Sequence, residues 1–359
     1  MIEDTGFSEF RAMTFPRNVI VGHDTLPEIP NMCEQFGFAK DGMIITGDNT
    51  YKAAGRTVKE YMEDSGYDMH VQLTGNATLA NVEDVVSAGK ETKSKFILAV
   101  GGGSKIDIAK MVAKQMRIPF ISVPTSVAHD GIASGRASLK SDMGPKSVDA
   151  VVPMGILADS AIIYKSPYRY LVSGCADVIS NITALKDWDF ARRIKNEPFS
   201  KTAYALSEMS ANTIIDNSKL IKPGLEESVH IALNPIIISG VSMAVAGSSR
   251  PTSGAEHMFS HALDILHPGR AMHGEQCGVG SIMMMYLHGG DWMRIRDALK
   301  DIGAPTCAKD LGLKDEDIID ALVEAPNIRK DRFTILGDNG LTRESARRAA
   351  TITGVIGKE

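Results

Sequence analysis

The chain has 359 residues, 39 Lys and Arg against 44 Asp and Glu, a net charge of −5, and 43% hydrophobic residues. That balance excludes a disordered chain and argues against a general nucleic-acid binder, and the length suffices for two domains with a sizeable core. The four cysteines, Cys33, Cys175, Cys277 and Cys307, form no CxxC and read as free thiols in a reducing compartment.

The opening residues, MIEDTGFSEF, are acidic rather than apolar and read as neither a secretory signal nor a transit peptide. Short runs rich in Ile, Val and Phe then predict strands at 18–21, 43–46, 69–73, 96–100 and 120–123. Amphipathic stretches at 50–65, 78–92 and 105–116 predict helices between them, so the first half reads as βαβ units with a mainly parallel sheet. After Asp130 the pattern loosens, and 137–141, 150–153 and 161–164 read as strands or extended loops. From Ser166 the β signal fades and helical patterns follow at 168–196, 200–217, 226–247, 254–265, 275–287, 292–301, 314–325 and 343–354, separated by Gly and Pro turns.

The expected fold is therefore a Rossmann-like α/β domain with a parallel sheet over residues 1–165, followed by an all-α domain over 166–359. With no linker between them, the site is expected in the cleft where they meet. The charge-free run 231–249 has membrane length but contains Asn234 and Pro235 and lacks a cationic flank, so it reads as a buried core helix. The protein is expected in the cytoplasm, without a membrane span or a nucleic-acid partner.

Two constellations carry chemistry. The first is Phe96-Ile-Leu-Ala-Val100 running into Gly101-Gly102-Gly103-Ser104-Lys105-Ile106-Asp107. A buried strand, three glycines and a helix start make a phosphate cradle, because glycine admits close approach and the helix offers unpaired N–H groups. Ser104 and Asp107 have capping-box spacing. Thr125 and Ser126, after the next strand, are expected beside this loop, and Asp48, after the strand at 43–46, is placed to take ribose hydroxyls.

The second is a histidine cluster. His257 and His261 are four apart, on one face of a helix, and His273 follows in a loop that opens another helix. Asp177 stands in an otherwise apolar helical stretch, where a carboxylate is costly unless paired or metal-bound. Two His and one carboxylate leave an open coordination position, as catalytic zinc requires.

These runs resemble the superfamily of iron-containing alcohol dehydrogenases, glycerol dehydrogenases and dehydroquinate synthases. Within it, Pro124-Thr-Ser-Val-Ala-His-Asp130-Gly-Ile-Ala-Ser134, Ser249 to Asp264 and His273-Gly-Glu-Gln-Cys-Gly-Val-Gly280 are similar to the archaeal sn-glycerol-1-phosphate dehydrogenases, and the resemblance covers nearly the whole chain. It implies a dehydroquinate synthase-like fold and an NAD- or NADP-dependent reduction of glycerone phosphate to sn-glycerol 1-phosphate, for archaeal ether lipids. It implies that Asp177, His257 and His273 hold the metal, and that Asp130, His261 and Asp177 face the substrate. It implies dinucleotide contacts from Gly102, Gly103, Ser104, Lys105, Ile106, Thr125, Ser126, Val127, Ala128 and Ser134. Iron-dependent members place a further His four residues after the Asp, and here that place is Asn181. The ligand set Asp, His, His favours one Zn²⁺ per subunit.

Homo-oligomers are the common case for such enzymes. Arg250 and Lys146 are cations to consider for the substrate phosphate, although each also reads as a solvated surface residue. The alternatives are a glycerol dehydrogenase or a dehydroquinate synthase-like enzyme of the same fold, or a nucleotide sensor that lacks the metal set.

Overall fold

A computed structural model describes residues 13–141 and 144–357, and the acidic segment 1–10 lies outside them. In chain order the first half gives β1 (Asn18–Gly22), α1 (Ile29–Gln35), β2 (Asp41–Thr46) and α2 (Asp48–Thr50). A π-helical turn, Tyr51–Gly55, leads into α3 (Arg56–Asp64), then β3 (Asp68–Leu73) and α4 (Leu79–Glu91). After these come β4 (Phe96–Gly101), α5 (Gly103–Met116), β5 (Phe120–Pro124), β6 (Arg136–Ser141), β7 (Gly144–Asp149), β8 (Gly155–Asp159) and α6 (Ser160–Tyr164).

Six strands form one parallel sheet in the order β1-β8-β5-β4-β2-β3, and β6 and β7 form a separate antiparallel hairpin. β4 is buried along its whole length, which is why Phe-Ile-Leu-Ala-Val reads as a continuous apolar run rather than an alternating one. Its end is in register with that of β5, Gly101 facing Pro124, so the expected neighbourhood of the two strand-end loops holds.

One expectation for this half changes. Residues 150–153 take the loop alternative, and the sheet is completed by β8, whose five buried residues fill the gap between β1 and β5. Residues 161–164 lie in α6, which forms because Asp159 Oδ1 accepts the N–H groups of Ala161 and Ile162. The other oxygen of Asp159 accepts from Leu26 N and ties the end of β8 to the chain after β1.

The second half is helical: α7 (Tyr168–Lys195), α8 (Lys201–Asp216), α9 (Glu226–Ala246), α10 (Ala255–Leu266), α11 (His273–Leu287), α12 (Trp292–Asp301), α13 (Asp315–Ile328) and α14 (Arg343–Thr353). α7 runs through the middle, buried at every residue from Leu171 to Asn181, and packs against α8, α11 and α9. α10 lies between α11 and α13. α9 is long and apolar enough to cross a membrane by length and composition alone, yet over half of its most apolar window is buried, and it packs against α8 and α7. A single cluster of buried side chains extends from Met43 in the sheet to Ile356 beyond α14, so the two halves share a core.

Candidate active site

The glycine loop closes β4 and opens a helix, as its composition predicts, with one shift of register. α5 begins at Gly103, with Gly102 as its N-cap in extended conformation and no side chain to cap it. The N–H groups of Gly103 and Ser104 precede any intrahelical acceptor, whereas those of Lys105 and Ile106 donate to Gly102 O. Ser104 therefore stands inside the helix, and the expected Ser104–Asp107 capping box does not form. Asp107 is instead paired with Lys110 at 3.1 Å and accepts Ser138 N. Lys110 is fully buried and also donates to the carbonyls of Gly131 and Arg136, at 2.5 and 2.6 Å, so α5 grips the segment that leads to the hairpin.

Thr125 donates its N–H to Gly101 O at 3.1 Å, and a Cβ on Gly102 would stand 2.8 Å from Ser126 Oγ. Lys105 extends its ammonium to Gly75 O beyond the ends of β2 and β3. Asp48 is exposed there and lines a cavity of ≈ 250 Å³ with Thr74, Gly75, Asn81 and Asp84. Ile106 and Val127 are fully buried, which leaves neither open to a dinucleotide in this conformation. Ser134 is also buried, and its hydroxyl bonds to the backbone of Arg136.

From Val127 to Ser134 the chain crosses the seam between sheet and helices. The crossing is tight: a Cβ on Gly174 of α7 would stand 2.1 Å from Val127 O, and one on Gly240 of α9 would stand 2.5 Å from Asp130 O. Ser173 donates to Ala128 O, and the N–H of Asp130 donates to Asp177 Oδ2 at 3.1 Å. The loop after β5 is thus fastened to α7 at the level of Asp177.

There the three expected ligands converge. Nε2 of His257 and Nε2 of His273 each lie 3.7 Å from Asp177 Oδ1. That separation is too long for a hydrogen bond, but it suits donors grouped around one ion, since ligand atoms about 2.0–2.2 Å from a tetrahedral zinc are roughly 3.3–3.6 Å apart. Asp177 Oδ1 is buried and has no hydrogen-bond partner among the described residues, as a ligand atom would be without its metal.

The second nitrogen of each imidazole is fixed. His257 Nδ1 pairs with Glu256 Oε1 at 3.0 Å, and His273 Nδ1 with Ser260 Oγ at 3.0 Å. Such partners set the tautomer and aim the other nitrogen at the metal. Glu256 is itself fully buried and accepts from Gly254 N and Thr183 Oγ1. Gly274, beside His273, has no room for a Cβ, which would meet Ser173 O at 1.9 Å. The start of α11 can therefore press against α7 and bring His273 to Asp177.

The electrostatics agree with a cation site. Burial raises the Asp177 carboxyl above its usual range, against the pull of His257. Burial and the nearby Asp177 push Asp130 up to about 6. Burial opposes charge on His257, but Cys277 and Glu256 hold it well above its ordinary value. Burial and the neighbouring histidines, including His129, hold His273 well below its own. Burial, with His257, Arg329 and Arg332, takes His261 down to about 4.

His261 stacks on His273 at 5.7 Å, and its Nδ1 is buried and unpartnered among the described residues. Asn181 donates to Ser239, whose hydroxyl donates to Asp130 Oδ2, both at 2.8 Å. Asn181 thus supports Asp130 through Ser239. Arg250 is not a solvated cation: it is buried, paired with Glu197, and donates to Phe333 O. Lys146 is exposed on β7.

Glu256, Ser260, His129 and Cys277 join the site without having stood out in the sequence. Cys277 has a donor atom within 4.8 Å of those of Asp177, His257 and His273, and lies one helical turn from His273. That i, i+4 spacing is the one signal by which it could have been found. Glu256 and Ser260 act through hydrogen bonds, which no spacing announces.

Residues 20–167 match the model of a family described as iron-containing alcohol dehydrogenase. The chain is 49% identical over 344 residues to a glycerol-1-phosphate dehydrogenase (NAD(P)+) of Methanosarcina mazei, covering 96% of each chain. It is 49% identical over 346 residues to one from Methanothermobacter thermautotrophicus, covering 96% of this chain and 99% of that one. Among solved structures, a glycerol dehydrogenase from Schizosaccharomyces pombe superposes with a TM-score of 0.78 at 16% identity, covering 96% and 91%. An NADH-dependent butanol dehydrogenase of Thermotoga maritima does so at 0.75 and 21%, covering 98% and 99%. At such identities the superpositions speak for the fold.

Proposed function

The chain belongs to the glycerol-1-phosphate dehydrogenases, in the family of iron-containing alcohol dehydrogenases, and from that premise we propose how its residues divide the work. It is an NAD(P)-dependent oxidoreductase, and its reaction is the reduction of glycerone phosphate to sn-glycerol 1-phosphate, the backbone of archaeal ether lipids.

Asp177, His257 and His273 hold one divalent ion, Zn²⁺ by the ligand set. The observation that carries this reading is the buried Asp177 Oδ1, unpartnered among the described residues, with two oriented imidazole nitrogens at 3.7 Å. When bound, the ion supplies Lewis acidity toward a carbonyl oxygen. The chain does the rest. The start of α5, with Gly102, Gly103 and Ser104, anchors the pyrophosphate, and Asp48 takes the ribose hydroxyls at the far end of the sheet. Thr125 and Ser126 line the path between, with Lys105 at its edge and Ala128 and Ser134 in the crossing loop. Asp130, fixed by Ser239 and by its own N–H on Asp177, orients a substrate hydroxyl. His261, neutral at physiological pH and stacked on His273, holds or relays a proton. The close crossing at Gly174 keeps these groups in one frame, and orientation of this kind contributes several kcal/mol to a barrier.

Division into a dinucleotide domain over 1–165 and a helical domain over 166–359, a homo-oligomeric state and a cytoplasmic location belong to the same reading. The deciding experiment is chiral analysis of the product after reduction of glycerone phosphate with NADH and with NADPH. sn-Glycerol 1-phosphate is expected. Glycerol 3-phosphate, or turnover of glycerone in preference to its phosphate, overturns the assignment. Light scattering on a sizing column tests the assembly.

A further inference from the structure

His129 is the residue between the two halves of the site that no role so far explains. Its ring is held from both sides by glycines. A Cβ on Gly103, at the start of α5, would stand 2.1 Å from His129 Nε2, and a Cβ on Gly131 would stand 2.3 Å from Cε1. A side chain at either place would require the imidazole to move. The turn that carries Asp130 therefore presses this ring against the dinucleotide loop.

The protonation pattern of the ring follows from one bond. Gly131 donates its backbone N–H to His129 Nδ1 at 2.9 Å, and His129 caps the short 3-10 turn Asp130–Ile132 through that contact. A nitrogen that accepts cannot carry the proton, so in the neutral ring the hydrogen is on Nε2. Nε2 has no hydrogen-bond partner among the described residues, and the side chain is partly exposed. An unspent N–H donor is thus fixed beside the first N–H groups of α5.

We propose that His129 is a phosphoryl-binding residue, donating Nε2–H to a phosphate oxygen at the junction of the glycine loop and the metal cluster. The inference rests on the reading of the site given above. Both ligands of that reading carry such an oxygen: the substrate on its terminal phosphate, the dinucleotide on its pyrophosphate. Near Asp130 and Asp177, either anion needs a donor that does not depend on net charge. A neutral imidazole whose other nitrogen is occupied meets that need.

The test compares wild type with His129→Asn and His129→Gln in the metal-loaded enzyme. Asn retains an acceptor where Nδ1 stands, so the turn is preserved while the Nε2 donor is lost. Gln returns an amide donor near Nε2. Thermal melts and metal content establish that each variant is folded and loaded. NADH affinity is then read by fluorescence titration, and sn-glycerol 1-phosphate affinity by calorimetry on the NADH complex. Loss of a hydrogen bond to a charged group weakens binding roughly ten- to hundred-fold.

If His129→Asn weakens sn-glycerol 1-phosphate by that factor with NADH unchanged, and Gln restores part of it, the ligand is the substrate phosphate. KM for glycerone phosphate then rises while that for glycerone does not. If NADH weakens instead, the ligand is the pyrophosphate. If a folded, loaded His129→Asn binds both like wild type, the proposal is wrong, whatever the wild-type reaction. A wild type that does not reduce glycerone phosphate at all refutes the functional reading instead.

Discussion

Glu256 Oε1 lies 3.0 Å from His257 Nδ1, and both side chains are withdrawn from solvent. Burial resists ionisation of Glu256, but its contacts with His257 and the N–H of Gly254 hold its carboxyl below the usual range. An ionised carboxylate behind a ligand imidazole makes the facing nitrogen a better donor. Glu256→Gln keeps the shape and loses the charge. Metal affinity is expected to fall about 10–100-fold with the fold intact, as measured by chelator competition.

Metal removal separates the roles of the histidines. Chelation is expected to abolish turnover, and added Zn²⁺ to restore it. His257→Ala and His273→Ala should lose metal and activity together. His261→Ala should keep its metal, shown by elemental analysis, while turnover falls roughly 10²–10⁴-fold, as for loss of a proton-transfer group. If His261→Ala lost the metal and His257→Ala kept it, the assignment within the pair would be reversed.

The thiol of Cys277, pushed up to about 11 by burial, is protonated in the metal-free protein. A three-ligand site leaves it so, and Cys277→Ser should then retain metal within a few-fold. Loss of metal together with a cobalt-substituted absorption band from thiolate would make it a fourth ligand and close the position reserved for substrate.

Much of this arrangement is legible in the amino-acid sequence. The β4 run and its glycines announce the loop, and the His257–His261 spacing announces a helix face. β8 is not legible there, because the five residues Gly155–Asp159, between Pro153-Met154 and a helix, carry too weak a pattern. The start of α5 is misplaced because Ser104 offers a better cap than Gly102 by composition, while the glycines let the helix begin earlier. The support around Asp130 through Asn181 and Ser239 joins residues far apart in sequence, and only packing reveals it.

Asp48 is exposed at the rim of the cavity beyond β2 and β3. Its charge opposes a 2′-phosphate at short range. Asp48→Ser should raise kcat/KM for NADPH relative to NADH by about ten-fold, equivalent to ~1.4 kcal/mol. An unchanged ratio would place the ribose elsewhere.

Gly274→Ala and Gly174→Ala test the crossings. Each new methyl would meet a backbone carbonyl, Ser173 O at 1.9 Å and Val127 O at 2.1 Å. Neither can move without shifting a helix or the loop, so a stability loss of about 1–3 kcal/mol or more is expected in denaturant titrations. Gly274→Ala should also weaken metal, since it displaces His273.

The pairing of β1 with β8 has a consequence for synthesis. Asn18 faces Gly155, so the first strand waits for a partner roughly 140 residues later, which at 5–20 residues per second is a delay of roughly 7–30 s. During that time β2 to β5 can assemble among themselves, while β5 keeps an open edge. The sheet is sealed from the N-terminal side last, when β8 emerges and slots between β5 and β1. Asp159 then fastens the join through Leu26 N. On the ribosome, the strand translated first is among the last to be secured.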